Sequence, residues 1–328
     1  MKAAAENKKK KALVDGQPVP DRNEEYLLYQ TLVGAWPIDP SVRDNRGIFK
    51  ERVKEYMLKA VREAKVNTSW INPAPQYEEA LLSFIEAIME AVPRNKFMRE
   101  LEPFQKMIAA SGMLNSLSQV LLKITSPGAP DFYQGSETCD LNLVDPDNRR
   151  TVDYDTRMEM LSELKRRESL IGQLKLAREL CASPFDGKIK LYLVYKALNF
   201  RKQKREVFEG GEYIPLETGG PKASHVCAFA RRLDEEVALV IAPRFFASLA
   251  SGPRARMVSR AVWKDSYVLL PFDGNVTSYR NVFTGEEIKG SRKGGNTVLH
   301  LRGALSDFPV ALLAGGRRES FRVGRAPD

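Results

Sequence analysis

The hydrophobic period of this 328-residue chain changes once, near Gly210, and that change limits the fold more than any other feature. Upstream, apolar residues recur every three or four positions, as one face of a helix requires. Tyr26, Leu27, Tyr29 and Val33 form one such stripe, with Asp21 or Asn23 as its cap and Pro37 as its stop. Phe49, Val53, Tyr56, Met57, Ala60 and Val61 form a second within 48–64, and Leu81, Leu82, Phe84, Ile85, Ile88 and Met89 a third within 78–91. A longer stripe runs from Met107 to Ile124, and further helices are expected over 158–176 and 189–208. Downstream, short apolar runs (226–231, 237–242, 266–272, 276–283, 297–302, 310–314) alternate with turn clusters such as Asp273-Gly-Asn275 and Thr284-Gly-Glu286. That texture predicts an antiparallel β-sandwich. Ahead of the first helix, Asp15-Gly-Gln-Pro-Val-Pro20 reads as a linker following the end of a helix.

Between the long helix and the next lies Thr125-Ser-Pro-Gly-Ala-Pro-Asp-Phe-Tyr-Gln-Gly-Ser-Glu137, then Asp145-Pro-Asp-Asn-Arg-Arg150. Prolines and glycines bracket a short aromatic segment, which suits a buried strand at 130–134 ending in a sharp turn. Glu137, Asp140, Asp145, Asp147, Asn148, Arg149, Arg150 and Asp153 crowd beyond it. A strand opening into a polar loop is how α/β barrels present ligand sites.

Composition excludes several classes. With 43% hydrophobic residues the chain can bury two cores. No apolar run reaches the roughly 20 residues that span a bilayer, and the lysine-rich start lacks the apolar stretch of a secretory signal. Cys139, Cys181 and Cys227 are too few and too scattered for a disulfide framework or a metal knuckle, so a reducing cytoplasm is the expected home. The net charge of +9 gathers at Lys8–Lys11, Arg201–Arg205 and the tail Gly316–Arg325. No nucleic-acid-binding motif accompanies it, so it reads as solvated surface, without a nucleic-acid or membrane partner.

His225 and His300 sit far apart in strand-like runs, too isolated for a metal site or a nucleophilic triad. Gly210-Gly211 and Gly219-Gly220 lack phosphate-loop spacing, and no cofactor is implied. Glu137 and Asp140 share a loop, but nearness in sequence is a poor guide to the carboxyl pair that glycoside cleavage needs. Binding of a polyhydroxyl ligand suits the loop better, because Asp, Asn and Arg form bidentate hydrogen bonds and aromatic faces stack on the apolar faces of rings. The alternative for Arg149 and Arg150 is pairing with Asp145 or Asp153 to brace the loop. Trp36, before Pro37, reads as packing, whereas Trp70 is open to packing or to stacking on glucose.

The pattern Gly128, Pro130, Tyr133, Gly135, Glu137 resembles the eighth barrel strand and following loop of the α-amylase superfamily. Its fuller wording is similar to the maltooligosyl trehalose synthases, as are Pro20-Asp-Arg-Asn-Glu-Glu-Tyr-Leu-Leu-Tyr-Gln-Thr31 with Gly34-Ala-Trp-Pro37, Lys65-Val-Asn-Thr-Ser-Trp-Ile-Asn-Pro73, and Asp307-Phe-Pro-Val-Ala-Leu-Leu313. The resemblance runs from about residue 15 to about 313 and covers only the carboxy-terminal part of that family. It implies a glucosylmutase that turns the reducing-end α-1,4 linkage of a maltooligosaccharide into an α,α-1,1 linkage by intramolecular transglycosylation.

The resemblance further implies a mixed fold: a severed helix and linker at 1–22, a helical region at 23–125, and the last strand and helix of a (β/α)8 barrel with its active-site loop at 126–208. A carboxy-terminal β-sandwich at 209–315 and a disordered basic tail at 316–328 complete it. The catalytic carboxylates would lie upstream, so no catalytic residue is expected in this chain. The missing amino-terminal barrel segment becomes the expected partner. Substrate-binding candidates, carried over from the family's loop, are Tyr133, Gln134, Glu137, Asp145, Asp147, Asn148, Arg149 and Arg150. The alternative is a non-catalytic glucan-binding or scaffolding module.

Overall fold

A computed structural model describes residues 10–37, 46–249, 259–271 and 278–316. The chain divides into two compact units, one of residues 1–110 with 140–152 and one of residues 111–139 with 153–328. Each is described by itself.

The first unit opens with a hairpin of β1 (Ala12–Val14) and β2 (Gln17–Val19), so the linker expected at 15–20 is a paired strand element. Asp15 and Gly16 both hold positive φ, 50° and 78°, the backbone of a two-residue hairpin turn. The helix end expected at the start of the chain falls mostly on residues outside those described. Helix α1 (Arg22–Ala35) is capped by Asp21 and not by Asn23: the Asp21 carboxylate accepts the Glu24 N–H at 2.8 Å, and the Glu24 carboxylate accepts the Asp21 N–H at 3.1 Å. Helices α2 (Arg46–Ala64) and α3 (Pro75–Ile88) follow, each presenting the predicted apolar stripe inward. Leu28, Leu32, Val53, Met57, Leu81, Phe84 and Ile85 meet in one core. Trp36 belongs to it, edge-on to Phe49 at 5.5 Å between ring centroids.

Helix α4 (Lys96–Thr125) runs through the division between the units. By length and composition it could cross a membrane, contrary to the sequence reading that no run is long enough. Its second half nevertheless buries Leu114, Leu117, Val120, Leu121 and Ile124 in a protein core.

The second unit contains that half, then α5 (Tyr154–Ile171), α6 (Gln173–Ala182), α7 (Lys188–Gln203) and α8 (Arg205–Glu209). Gly172, at φ 80°, breaks the helix expected over 158–176 into α5 and α6. Two antiparallel sheets follow. In the larger the order is β3 (Glu212–Pro215), β5 (Val226–Leu233), β6 (Glu236–Pro243), β12 (Ala311–Gly315), β8 (Ser278–Asn281), β9 (Glu287–Lys289). In the smaller it is β10 (Ser291–Lys293), β11 (Asn296–His300), β7 (Tyr267–Leu270), β4 (Thr218–Gly219). Strand β12 is buried at every position and β6 at all but Glu236, so both faces of the large sheet are covered. One core joins α6, α7 and both sheets, and Tyr192 donates its hydroxyl to the Phe283 carbonyl at 2.8 Å within it. His300 ends β11, while His225 lies in a 3-10 turn just before β5.

The strand expected at 130–134 does not form: residues 126–139 run as bends and turns. No described strand lies beside them, and Pro127 and Pro130 offer no N–H to a ladder. Phe132 and Tyr133 are consequently exposed. Helix α7 therefore has no barrel strand to cover.

Candidate functional site

The predicted loop is shared between the two units, and its residues fall into two separate groups. In the first unit, Asp147 is the hub. Arg52 of α2 donates to its carboxylate through Nε and Nη2, both at 2.7 Å, and the Leu143 N–H donates at 2.6 Å. Arg150 adds a contact at 3.2 Å. Burial pushes the Asp147 carboxyl up, but Arg52, the Leu143 N–H and Arg150 outweigh it and hold the group below its ordinary value. Asp145 pairs with Arg149, and its carbonyl accepts from Lys59 of α2 at 2.6 Å. Arg150 also donates to Asn142, whose amide donates to Asp140 at 2.7 Å. Asn148 lies in the 3-10 turn Asp147–Arg149 with its buried Oδ1 unpartnered.

Arg149 and Arg150 therefore brace the loop while keeping 73% and 51% of their side-chain surface exposed. Bracing and sugar contact are compatible for both, because exposed guanidinium donors remain. Arg52 and Lys59 were not singled out from sequence. They sit seven residues apart on α2, two helical turns, and that spacing was the available signal.

In the second unit, Tyr133 and Gln134 are exposed, whereas Glu137 is half-buried. Arg157 of α5 holds this turn, donating to the Gly135 carbonyl at 3.0 Å and the Thr138 hydroxyl at 3.2 Å, and lying 3.5 Å from Glu137. Asp153 caps α5 through the Thr156 N–H at 3.0 Å. Beside the turn lies an open, largely apolar depression of about 440 Å³ lined by Leu122, Lys123, Ser126, Pro127, Ala129 and Pro130. Among the described residues no group of three His, Cys, Asp or Glu side chains is placed to hold a metal ion.

Of Arg22, Asn23 and Glu24, the first two are exposed and Glu24 joins a buried polar cluster in the first unit. Asn67 donates to the Tyr77 hydroxyl at 2.7 Å and to Glu24 at 3.2 Å, and Tyr77 donates to Glu24. Burial first, then Glu24, push the Tyr77 phenol far above its ordinary value, so it remains a donor.

No family model matches the chain. It is 33% identical over 222 residues to a Mycobacterium tuberculosis protein assigned as a maltooligosyl trehalose synthase, covering 68% of this chain and 25% of that one. The solved maltooligosyltrehalose synthase of Arthrobacter ramosus superposes with a TM-score of 0.66 at 32% identity, covering 89% of this chain and 32% of that one. A second solved maltooligosyl trehalose synthase gives 0.61 at 32% identity, over 90% and 33% of the two chains. The chain thus spans between a quarter and a third of the relatives that it matches. In sequence and fold it corresponds to part of a larger synthase. That family is the maltooligosyl trehalose synthases, and the correspondence is to their carboxy-terminal part.

Proposed function

We propose that the chain is the carboxy-terminal part of a glucosylmutase that converts the reducing-end α-1,4 linkage of maltooligosaccharides into an α,α-1,1 linkage. The observation that carries this reading is about one-third identity with a matching fold over nine-tenths of the chain. In the proposed reaction a carboxylate nucleophile displaces the terminal glucose to form a glycosyl-enzyme. A second carboxyl group protonates the leaving oxygen and then deprotonates the incoming hydroxyl. The released glucose turns in place, and its anomeric hydroxyl attacks the same carbon to give the trehalose linkage.

The catalytic carboxylates are proposed to come from the portion of the family this chain does not cover. The chain's own share would be the segment 126–139, as last barrel strand and turn, and the loop 140–153. In one unit Tyr133 and Gln134 are exposed for sugar; in the other Arg149 and Arg150 are, with Asp147 accepting the Leu143 N–H and contacting Arg150 and with Asp145 paired to Arg149. The apolar depression beside Pro127 suits a segment that gains strand neighbours in the longer enzyme. Three unpaired cysteines suit a cytoplasmic setting.

The test is incubation of the purified 328-residue chain with maltopentaose, followed by loss of reducing ends and release of glucose. Neither change is expected. Turnover by the chain alone would overturn the assignment of the carboxylates to another segment.

A further inference from the structure

The turn after α2 displays apolar surface that no function so far described uses. Trp70 is 57% exposed, Ile71 94% and Val66 75%. Their display is not the result of a loose loop. Thr68, only 4% exposed, donates its hydroxyl to Glu78 at 2.8 Å and accepts the Ala74 N–H at 2.9 Å. Asn67 is tied inward to Tyr77. Ser69 and Asn72 close the tip, with the Ser69 N–H donating to the Asn72 carbonyl at 3.1 Å and the Asn72 N–H to the Ser69 hydroxyl at 2.9 Å.

The indole itself is fixed from behind. The Arg62 guanidinium stands 4.8 Å from the Trp70 ring centroid, and its own position is set by two hydrogen bonds to Glu78 at 2.8 and 2.6 Å. The ring is thereby backed by a clamped cation while more than half of the residue stays open to solvent.

From this we infer that Trp70, which is not among the 133–150 loop residues, is a stacking platform for a glucose unit of an α-1,4-glucan, a reading that rests on the glucan function proposed above. A pyranose ring presents a C–H face that suits an aromatic plane, and a ring held in place loses little freedom when it binds. The patch comprises three apolar side chains, against the 20–30 residues a side of a stable protein interface. Exposed Glu63, Lys65, Asn72 and Gln76 in the same stretch supply groups for sugar hydroxyls. Platform and loop would together raise the effective concentration of a long glucan at the enzyme.

The chain has three tryptophans, and Trp36 and Trp263 are buried, so a glucan-dependent change in emission reports on Trp70. Maltoheptaose added to the full chain is expected to shift tryptophan emission saturably. Calorimetry should show roughly tenfold weaker binding by Trp70→Ala and an intermediate loss by Trp70→Phe, with thermal unfolding unchanged. Equal affinity of Trp70→Ala and the parent chain would overturn the platform and leave the glucan reading intact. So would calorimetric binding with no change in emission. No binding at all, or a loss of self-association in Trp70→Ala instead of a loss of sugar, would also overturn it. Failure of the glucan reading is seen separately, as the absence of trehalose-ended product when the upstream part of the enzyme is supplied.

Discussion

Asp147 illustrates what a residue does here beyond carrying charge. Four donors converge on a carboxylate whose side chain is only 9% exposed, so removing the charge leaves Arg52 with the Leu141 carbonyl but no counter-charge there. Asp147→Ala is expected to destabilise the first unit by about 1–3 kcal/mol, measured by denaturant unfolding. Arg150→Ala, on a half-exposed side chain, should cost no more than about 1 kcal/mol in the same experiment while weakening retention on immobilised maltodextrin. The pH dependence has a definite sign. The folded-state value of Asp147 lies below the roughly 3.9 of a free Asp, so its stabilisation is present above that value and is lost as pH falls through the folded one. Glu78, held down chiefly by Arg62, acts in the same direction. Melting temperature should therefore be level from pH 7 to about 5 and fall below about 4. In Asp147→Asn the acid loss should be shallower, and an acid limb as steep as the parent's would contradict the role given to this carboxylate. The sequence showed the loop's acids and arginines but not their partners. Arg52 and Lys59 lie some ninety residues upstream, and no local pattern links a helix face to so distant a turn.

At the scale of elements, period was a sound guide where a face was buried and a weak one where a turn decided the outcome. The stripes of α2, α3 and the second half of α4 were readable because each meets a core. The β1–β2 hairpin was missed because Asp15-Gly16 was read as linker composition, although Asp-Gly between short extended runs is a hairpin signal. The expected strand at 130–134 rested on its aromatic residues, yet a strand needs a neighbour and none of those described is beside it. Short edge strands such as β3, β4 and β10 carry too few alternating residues to show a period. The junction of α8 and β3 depends on close approach. A Cβ on Gly211 would stand 2.3 Å from the Val207 carbonyl oxygen and 2.8 Å from that of Arg232. Gly211→Ala is expected to lower stability by about 2 kcal/mol or more, since backbone atoms on both sides would have to move. Urea unfolding within about 0.5 kcal/mol of the parent would show that the junction is looser than this geometry.

At the scale of the molecule, the chain spans between a quarter and a third of the relatives that it matches. Phe132, Tyr133 and Val144 are exposed, and an apolar depression lies beside Pro127. Unpaired apolar surface of this kind favours association, so the isolated chain is expected to elute from a sizing column as concentration-dependent oligomers. A monomer at every concentration would favour an independent glucan-binding module instead. The family was legible in the sequence because its motifs lie in chain order. The division of the loop between two units was not, because it depends on which helix each half meets.

The decisive measurement is complementation: the chain co-expressed with the upstream portion of a maltooligosyl trehalose synthase, with maltopentaose as substrate and trehalose-ended product read by chromatography. Product from the pair and from neither part alone is the predicted result. No product from a pair shown to co-purify would contradict the account.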